Sequence, residues 1–366
     1  MIRGWVPPAA AGTVVGAAIG AVTTDRPADL PLFARAGQDV LTGHFAAVYG
    51  TASNQGGPLQ AVLSRLLVLG SDGGPARPVL VAVDALLAAL VAVLAHRAAG
   101  SRRAALALGY AALWLAAPAF WGGHPLEVLI PVLWLVAARR TGWTAALALA
   151  GAAAVAPWGV LGWPVAMRRG KGRAATRTLG TAGVLTTAMY APLLIAGSGS
   201  ALRHVWPVDR HTLWHAVLPQ VHGVNWGVRL VQGLLVVLAL AVLARRTPAA
   251  APWRGPLLVT AAGLLRVVTD PLGFDYYWLP AGVGALALLI TVPNLRGRAG
   301  AAALGLAYLV WAAPPLQLAA APLAGLALLA AGFGQGATRF SAYARQIRSS
   351  SARNRAAGSA VRGPSR

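Results

Sequence analysis

The chain has nine acidic residues, and three of them, Asp25, Asp29 and Asp39, fall in one polar stretch from Thr24 to Pro58. A positioned carboxylate is one of the few groups able to take a proton from a hydroxyl near neutral pH. Loops of this length between apolar segments are either functional or disordered. This one interleaves apolar and polar residues, carries aromatics and is poor in Ser and Lys, so it reads as ordered. From Leu32 the apolar positions Leu32, Phe33, Ala36, Val40 and Leu41 recur at helical spacing, with Arg35, Gln38, Asp39 and Thr42 elsewhere. That pattern predicts a short amphipathic helix lying in a membrane interface. Asp29 stands at its start, where backbone N–H groups favour a carboxylate. Two roles are open to it, helix cap or general base. Asp25, closer to the preceding apolar run, is the rival base and otherwise a plain interfacial charge.

A second set of candidates lies far downstream. Arg266 sits inside the apolar run LLVTAAGLLRVVTDP, with Asp270 four residues on. That spacing puts both on one helix face. The pair reads either as a structural ion pair with snorkelling or as a forked site for a phosphate group. The stretch from Gly197 to Arg229 holds His204, His211, His215 and His222 with Arg203, Arg210 and Arg229. His211 and His215 have a spacing zinc can use, but no HExxH is present, and no metal is assigned. Trp206, Trp214 and Trp226 around them are the residues that favour the headgroup level of a bilayer. A phosphate contact from Arg203, Arg210 or His211 is the functional alternative. GFDYYWLP, Gly273–Pro280, reads as an aromatic belt or as a platform on which a sugar or acceptor stacks. His124, beside Glu127 in GGHPLEV, reads first as a hydrogen-bonding group.

The elements that must position these residues follow from composition. Of 366 residues, 57% are hydrophobic and 11% charged. A soluble protein of this size carries far more charge, so the chain is read as a polytopic, all-α membrane protein. The net charge of +22 comes from short clusters between apolar runs, almost all arginine. This is the pattern of cytoplasmic loops and not of a nucleic-acid surface. Cysteine is absent, which excludes disulfides and thiolate chemistry. The arginine-rich, Ala- and Gly-rich composition points to a bacterial plasma membrane.

About ten spans are predicted (10–12): Trp5–Val22, Val79–Ala95, Ala104–Ala119, Leu126–Ala138, Leu179–Ala196, Trp226–Ala244, Pro256–Val268, Tyr276–Val292, Gly300–Ala313 and Leu316–Phe333. The first is read as an uncleaved helix. Two segments do not fit a simple crossing. Pro58–Leu69 is short and is expected to dip without crossing. Trp143–Met167 is interrupted by Pro157, Gly159 and Pro164 and is expected to enter and return, since broken helices survive at membrane depth only inside protein or along a cavity. With the N-terminus inside, every basic cluster falls in the cytoplasm. The first outer loop (24–58), the second (197–225) and the 120–125 and 269–275 turns then share the outer face. Residues 1–336 form the membrane domain, and 337–366, with seven arginines and no acid, a disordered basic cytoplasmic tail.

In this arrangement the chain resembles the integral-membrane glycosyltransferases of the C-type fold, especially bacterial polyprenol-phosphate-mannose-dependent mannosyltransferases. The similar points are Asp29-Leu30 after the first span with Phe33, Ala36-Gly37, Leu41, Gly43 and Tyr49 downstream, Gly-His-Pro at Gly123–Pro125, APWGVLGWP at Ala156–Pro164, and Asp275-Tyr276-Tyr277. The likeness runs from about Trp5 to Arg298. It departs at Ala156, where the family often has lysine, and at Gln55–Pro58, where it usually has tyrosine-proline-proline.

The resemblance implies a catalytic first-loop aspartate, carried onto Asp29 with Asp25 second. Arg266, Arg210 and His211 would then bind the donor phosphate. Tyr49, His124, Asp270, Asp275 and Tyr276 would contact substrates. The implied donor is a polyprenyl-phosphate-linked sugar, and the acceptor a cell-envelope lipid or glycan. No cofactor is implied. A lipid or small-solute transporter, using the broken segment and Arg266–Asp270 as a path, is the competing class.

Overall fold

In a computed structural model the chain is mostly helical. The structure describes residues 6–22, 29–50, 54–68, 124–167, 172–210 and 212–291, with scattered positions between 78 and 89. Most of the expected span Val79–Ala95 lies outside them. So do the spans Ala104–Ala119, Gly300–Ala313 and Leu316–Phe333, the tail from 337, and the candidates Asp25 and His211. The helices are α1 (Val6–Val22), α2 (Leu30–Leu41), α3 (Phe45–Val48), α4 (Pro58–Leu67), α5 (Leu129–Arg139), α6 (Gly142–Val155), α7 (Gly172–Ala196), α8 (Leu213–Val217), α9 (Trp226–Arg246), α10 (Arg254–Thr269) and α11 (Leu279–Thr291). The 197–225 stretch adds a two-stranded antiparallel ribbon, Trp206–Pro207 with Gly223–Val224.

By length and composition α7 and α9 can cross a membrane. On α9, Leu230, Leu234 and Leu238 are each more than half exposed. Contiguous uncovered apolar surface of this kind marks contact with lipid or another chain.

The described residues of the first loop, 29–50 and 54–58, are folded. Pro31 presets φ for the first turn of α2, and α2 packs along α4. The buried face of α2 is Leu30, Phe33, Ala34, Ala36 and Gly37, while Leu41 is exposed. This differs from the apolar face read from the sequence. Small residues at 34, 36 and 37 let α4 approach, and a Cβ at Gly37 would overlap the Ala61 carbonyl. Arg65 Nε donates to Gln38 Oε1 at 2.7 Å across the pair. With ten residues, α4 is about 15 Å long, half the thickness of a bilayer core.

The 143–167 segment doubles back. Pro157 cannot donate to the ladder of α6, and the chain continues as a 3₁₀ helix, Pro157–Ala166. Trp163 Nε1 donates to the Leu149 carbonyl at 3.3 Å, and Gly159 lies against Ala152 so closely that a Cβ would overlap its carbonyl. The 3₁₀ run therefore returns antiparallel along α6. Its rise of about 2 Å per residue lets ten residues match the fourteen of α6. The base of this hairpin is held by Arg254, which is buried and donates to the carbonyls of Val165, Met167 and Ala244. The tip, Ala156–Trp158, reaches the opposite end of the bundle.

Gly57 joins the first loop to that tip. Its N–H donates to the Val155 carbonyl at 3.0 Å, and a Cβ there would overlap Ala154 O. Gly57→Val is expected to destabilise the fold by roughly 1–3 kcal/mol, read as a lowered unfolding temperature of the purified protein.

Candidate active site

Asp29 is the N-cap residue of α2 by position, but its side chain makes no cap hydrogen bond. The carboxylate instead meets His124, with Oδ2 3.0 Å from Nε2. On the other side of the imidazole, Nδ1 lies 2.8 Å from Glu127 Oε1. Glu127 is buried, and its second oxygen accepts from Trp158 Nε1 at 3.1 Å. A carboxylate–imidazole–carboxylate chain thus runs from half-exposed Asp29 into the protein. His124 precedes the apolar run of α5, in the turn ahead of it. Burial alone would lower its pKa, but Glu127 and Asp29 outweigh this and hold it at about 9. At neutral pH both ring nitrogens therefore donate, and the imidazolium fixes the orientation of Asp29.

A folded pKa near 9 against an ordinary 6.5 makes folding stability pH-dependent. The contribution is complete below pH 6.5 and is lost as pH rises through 9. The unfolding temperature of the purified protein is expected to fall across that window, and His124→Gln is expected to flatten the fall.

Beside the inner end of this chain stands Arg266, near the end of α10 and almost fully buried. Its guanidinium lies between two ring faces, 3.7 Å from the Trp158 centroid and 3.8 Å from that of Tyr277. Desolvated cation–π contacts of this kind contribute about 2 kcal/mol or more. Its carboxylate neighbours are too far for hydrogen bonds: Glu127 Oε2 at 4.0 Å and Asp270 Oδ2 at 3.7 Å. Nε and NH1 are buried without a hydrogen-bond partner. Unmet buried donors on a charged group cost at least about 1–3 kcal/mol each. An incoming anion with two oxygens meets that need. Asp270 is committed elsewhere: Oδ1 accepts from Arg229 NH1 at 2.6 Å and from the Leu272 N–H at 3.1 Å.

These groups line one cavity of about 520 Å³, within the range of small-ligand sites. Asp29, His124, Arg266, Asp270 and Tyr276, all singled out from sequence, line it together. Tyr276 stacks on His124 with centroids 4.3 Å apart and planes at 15°. Asp275 opens the 3₁₀ turn Asp275–Trp278 that carries Tyr276 and Tyr277. Two candidates stand elsewhere. Tyr49 is buried, with its hydroxyl donating to the Gly56 carbonyl at 2.7 Å and its ring parallel to Tyr190, so it braces the first loop. Arg210 is exposed and is not part of the cavity lining. Among the described residues no His, Asp or Glu cluster has the arrangement of a metal site.

Sequence reasoning passed over Glu127, Arg229, Trp158 and Tyr277 as members of the site. Two had a signal. Glu127 is the chain's only glutamate, and Arg229 sits in the first turn of an apolar helix, the same feature that pointed to Arg266. Comparison with models of known families, with characterised proteins and with solved structures finds no match for this chain.

Proposed function

We propose that the chain is a membrane glycosyltransferase that moves a sugar, mannose by the resemblance, from a polyprenyl-phosphate-linked donor to a cell-envelope lipid or glycan. The observation that carries this reading is the presence of Asp29, oriented by His124, and the anion-seeking Arg266 in the lining of one cavity. Asp29 takes the proton of the acceptor hydroxyl while that oxygen bonds to the anomeric carbon. The bond from that carbon to the phosphate oxygen breaks, and the phosphate leaves with the electron pair. Arg266 and Arg229, both largely buried, offset its charge. A single displacement inverts the anomeric configuration.

The cavity also has an apolar side, with Val160, Leu161, Leu230, Leu234 and Val237, which suits a hydrocarbon chain attached to the phosphate. This explains why an enzyme for polar sugars would sit in a bilayer. In the same reading about ten spans cross a bacterial plasma membrane, both termini are cytoplasmic and the cavity opens on the extracytoplasmic face. The fold would be the glycosyltransferase C-type. Supporting that orientation, the basic residues Arg139, Arg140, Arg245, Arg246 and Arg254 gather at the end of the bundle away from Asp29.

The test is mass spectrometry of envelope lipids and glycans from a strain lacking the chain, complemented with wild type or with Asp29→Asn. Wild type should restore one hexose that the variant does not. Restoration by both would remove Asp29 from the reaction.

A further inference from the structure

Three rings form a parallel column beside the base. His124 and Tyr276 are stacked at 4.3 Å and 15°, and Tyr276 and Phe274 at 5.5 Å and 10°. Tyr277 meets Phe274 edge-on, with centroids 5.5 Å apart and planes at 89°. Phe274 is therefore held by one stacked and one perpendicular ring contact, yet it remains 47% exposed and lines the cavity. A large apolar ring fixed this firmly and left open is not needed for packing. It lies at the end of a column whose other end is the imidazole that orients Asp29.

We propose that the exposed part of the Phe274 ring is a saccharide subsite, which stacks a pyranose ring of the acceptor and guides its hydroxyl toward Asp29. The C–H bonds on one side of a pyranose are polarised toward hydrogen and fit the negative face of an aromatic ring. The sugar's hydroxyls project from the rim, where water and polar groups can reach them. His204 and Trp206 stand in the same cavity lining and are in edge contact at 4.8 Å. They add a second aromatic pair with a hydrogen-bonding ring nitrogen to the cavity lining. The proposal rests on the glycosyltransferase reading for its acceptor, and it narrows that acceptor to one whose receiving end is carbohydrate. An interfacial anchor would also be an exposed aromatic, but nothing in anchoring requires alignment with the imidazole that orients Asp29.

The test is saturation-transfer NMR on the full chain in nanodiscs. The probes are methyl α-mannoside, methyl α-glucoside, methyl β-galactoside and an α-linked methyl dimannoside. Wild type and Asp29→Asn should both saturate the ring protons of one pyranose face for at least one probe. Phe274→Ala should weaken that binding roughly tenfold, and Phe274→Trp should restore it. Equal signals from wild type and Phe274→Ala, or none from any probe, would overturn the subsite. A Phe274→Ala protein that only loses nanodisc stability would assign the ring to membrane anchoring and likewise overturn it. Failure of the glycosyltransferase reading shows separately, as polyprenyl-phosphate donor whose sugar never enters a new glycosidic bond.

Discussion

Asp29→Asn is expected to lower sugar transfer by about 10²- to 10⁴-fold, the range a positioned general base supplies. The amide keeps the shape and still offers an oxygen to His124 Nε2, so the 3.0 Å contact can persist. What is lost is the proton acceptor. Expression should persist and the unfolding temperature should fall only modestly: Asp29 is half exposed and its side chain does not cap α2, but it is one of the two carboxylates that hold His124 charged. Donor binding should also persist, since Arg266 and Arg229 are left unchanged. The loss therefore belongs in kcat with KM for the donor little changed. Full activity in the variant would transfer the role to Asp25.

Arg266→Lys is expected to lower kcat/KM for the donor by about 10²- to 10³-fold, as for removal of a donor that stabilises developing charge. The substitution keeps the charge. It removes the planar fork and the ring-on-ring contact with Trp158 and Tyr277, which an ammonium cannot reproduce. The neighbouring carboxylates stay satisfied without it. Asp270 keeps Arg229, and Glu127 keeps His124 and Trp158. The fold should therefore survive, with the defect concentrated in donor use. Steady-state kinetics with varied donor at saturating acceptor, alongside an unfolding curve, separates the two. Near-wild-type donor kinetics would mean that the unmet Nε and NH1 donors serve no anion.

Much of the site was legible because charge is scarce in this chain. In a sequence with 11% charged residues, an arginine inside an apolar run or an aspartate at a helix start stands out on cost alone. Asp29, Arg266 and Asp270 were found that way. The hairpin at 143–167 was legible from Pro157, Gly159 and Pro164, since the ladder cannot continue through them.

The connections between these residues were not legible. His124 meets Asp29 across 95 positions, and Arg229 meets Asp270 across 41. Local spacing carries no trace of such pairings. Trp158 was hidden for another reason. Its segment was read as a break, and only the antiparallel return along α6 brings the indole between Glu127 and Arg266. The buried face of α2 was misread because Ala34 and Gly37 look neutral in a hydrophobic pattern. What they provide is close approach to α4, which periodicity does not register. Tyr49 drew attention as an aromatic in the first loop, and its place is set by a hydroxyl contact to Gly56.

The most direct measurement follows the sugar itself. Purified wild-type protein, reconstituted in liposomes, is given a polyprenyl-phosphate donor labelled with ¹³C at the anomeric carbon, together with a lipid and glycan extract of the cell envelope. The expected result is a new ¹³C anomeric signal in a glycosidic bond, of inverted configuration, that appears with time only in the presence of the protein. Label that stays in the donor, or that crosses the liposome bilayer with its bond to phosphate intact, would contradict glycosyl transfer and point to transport.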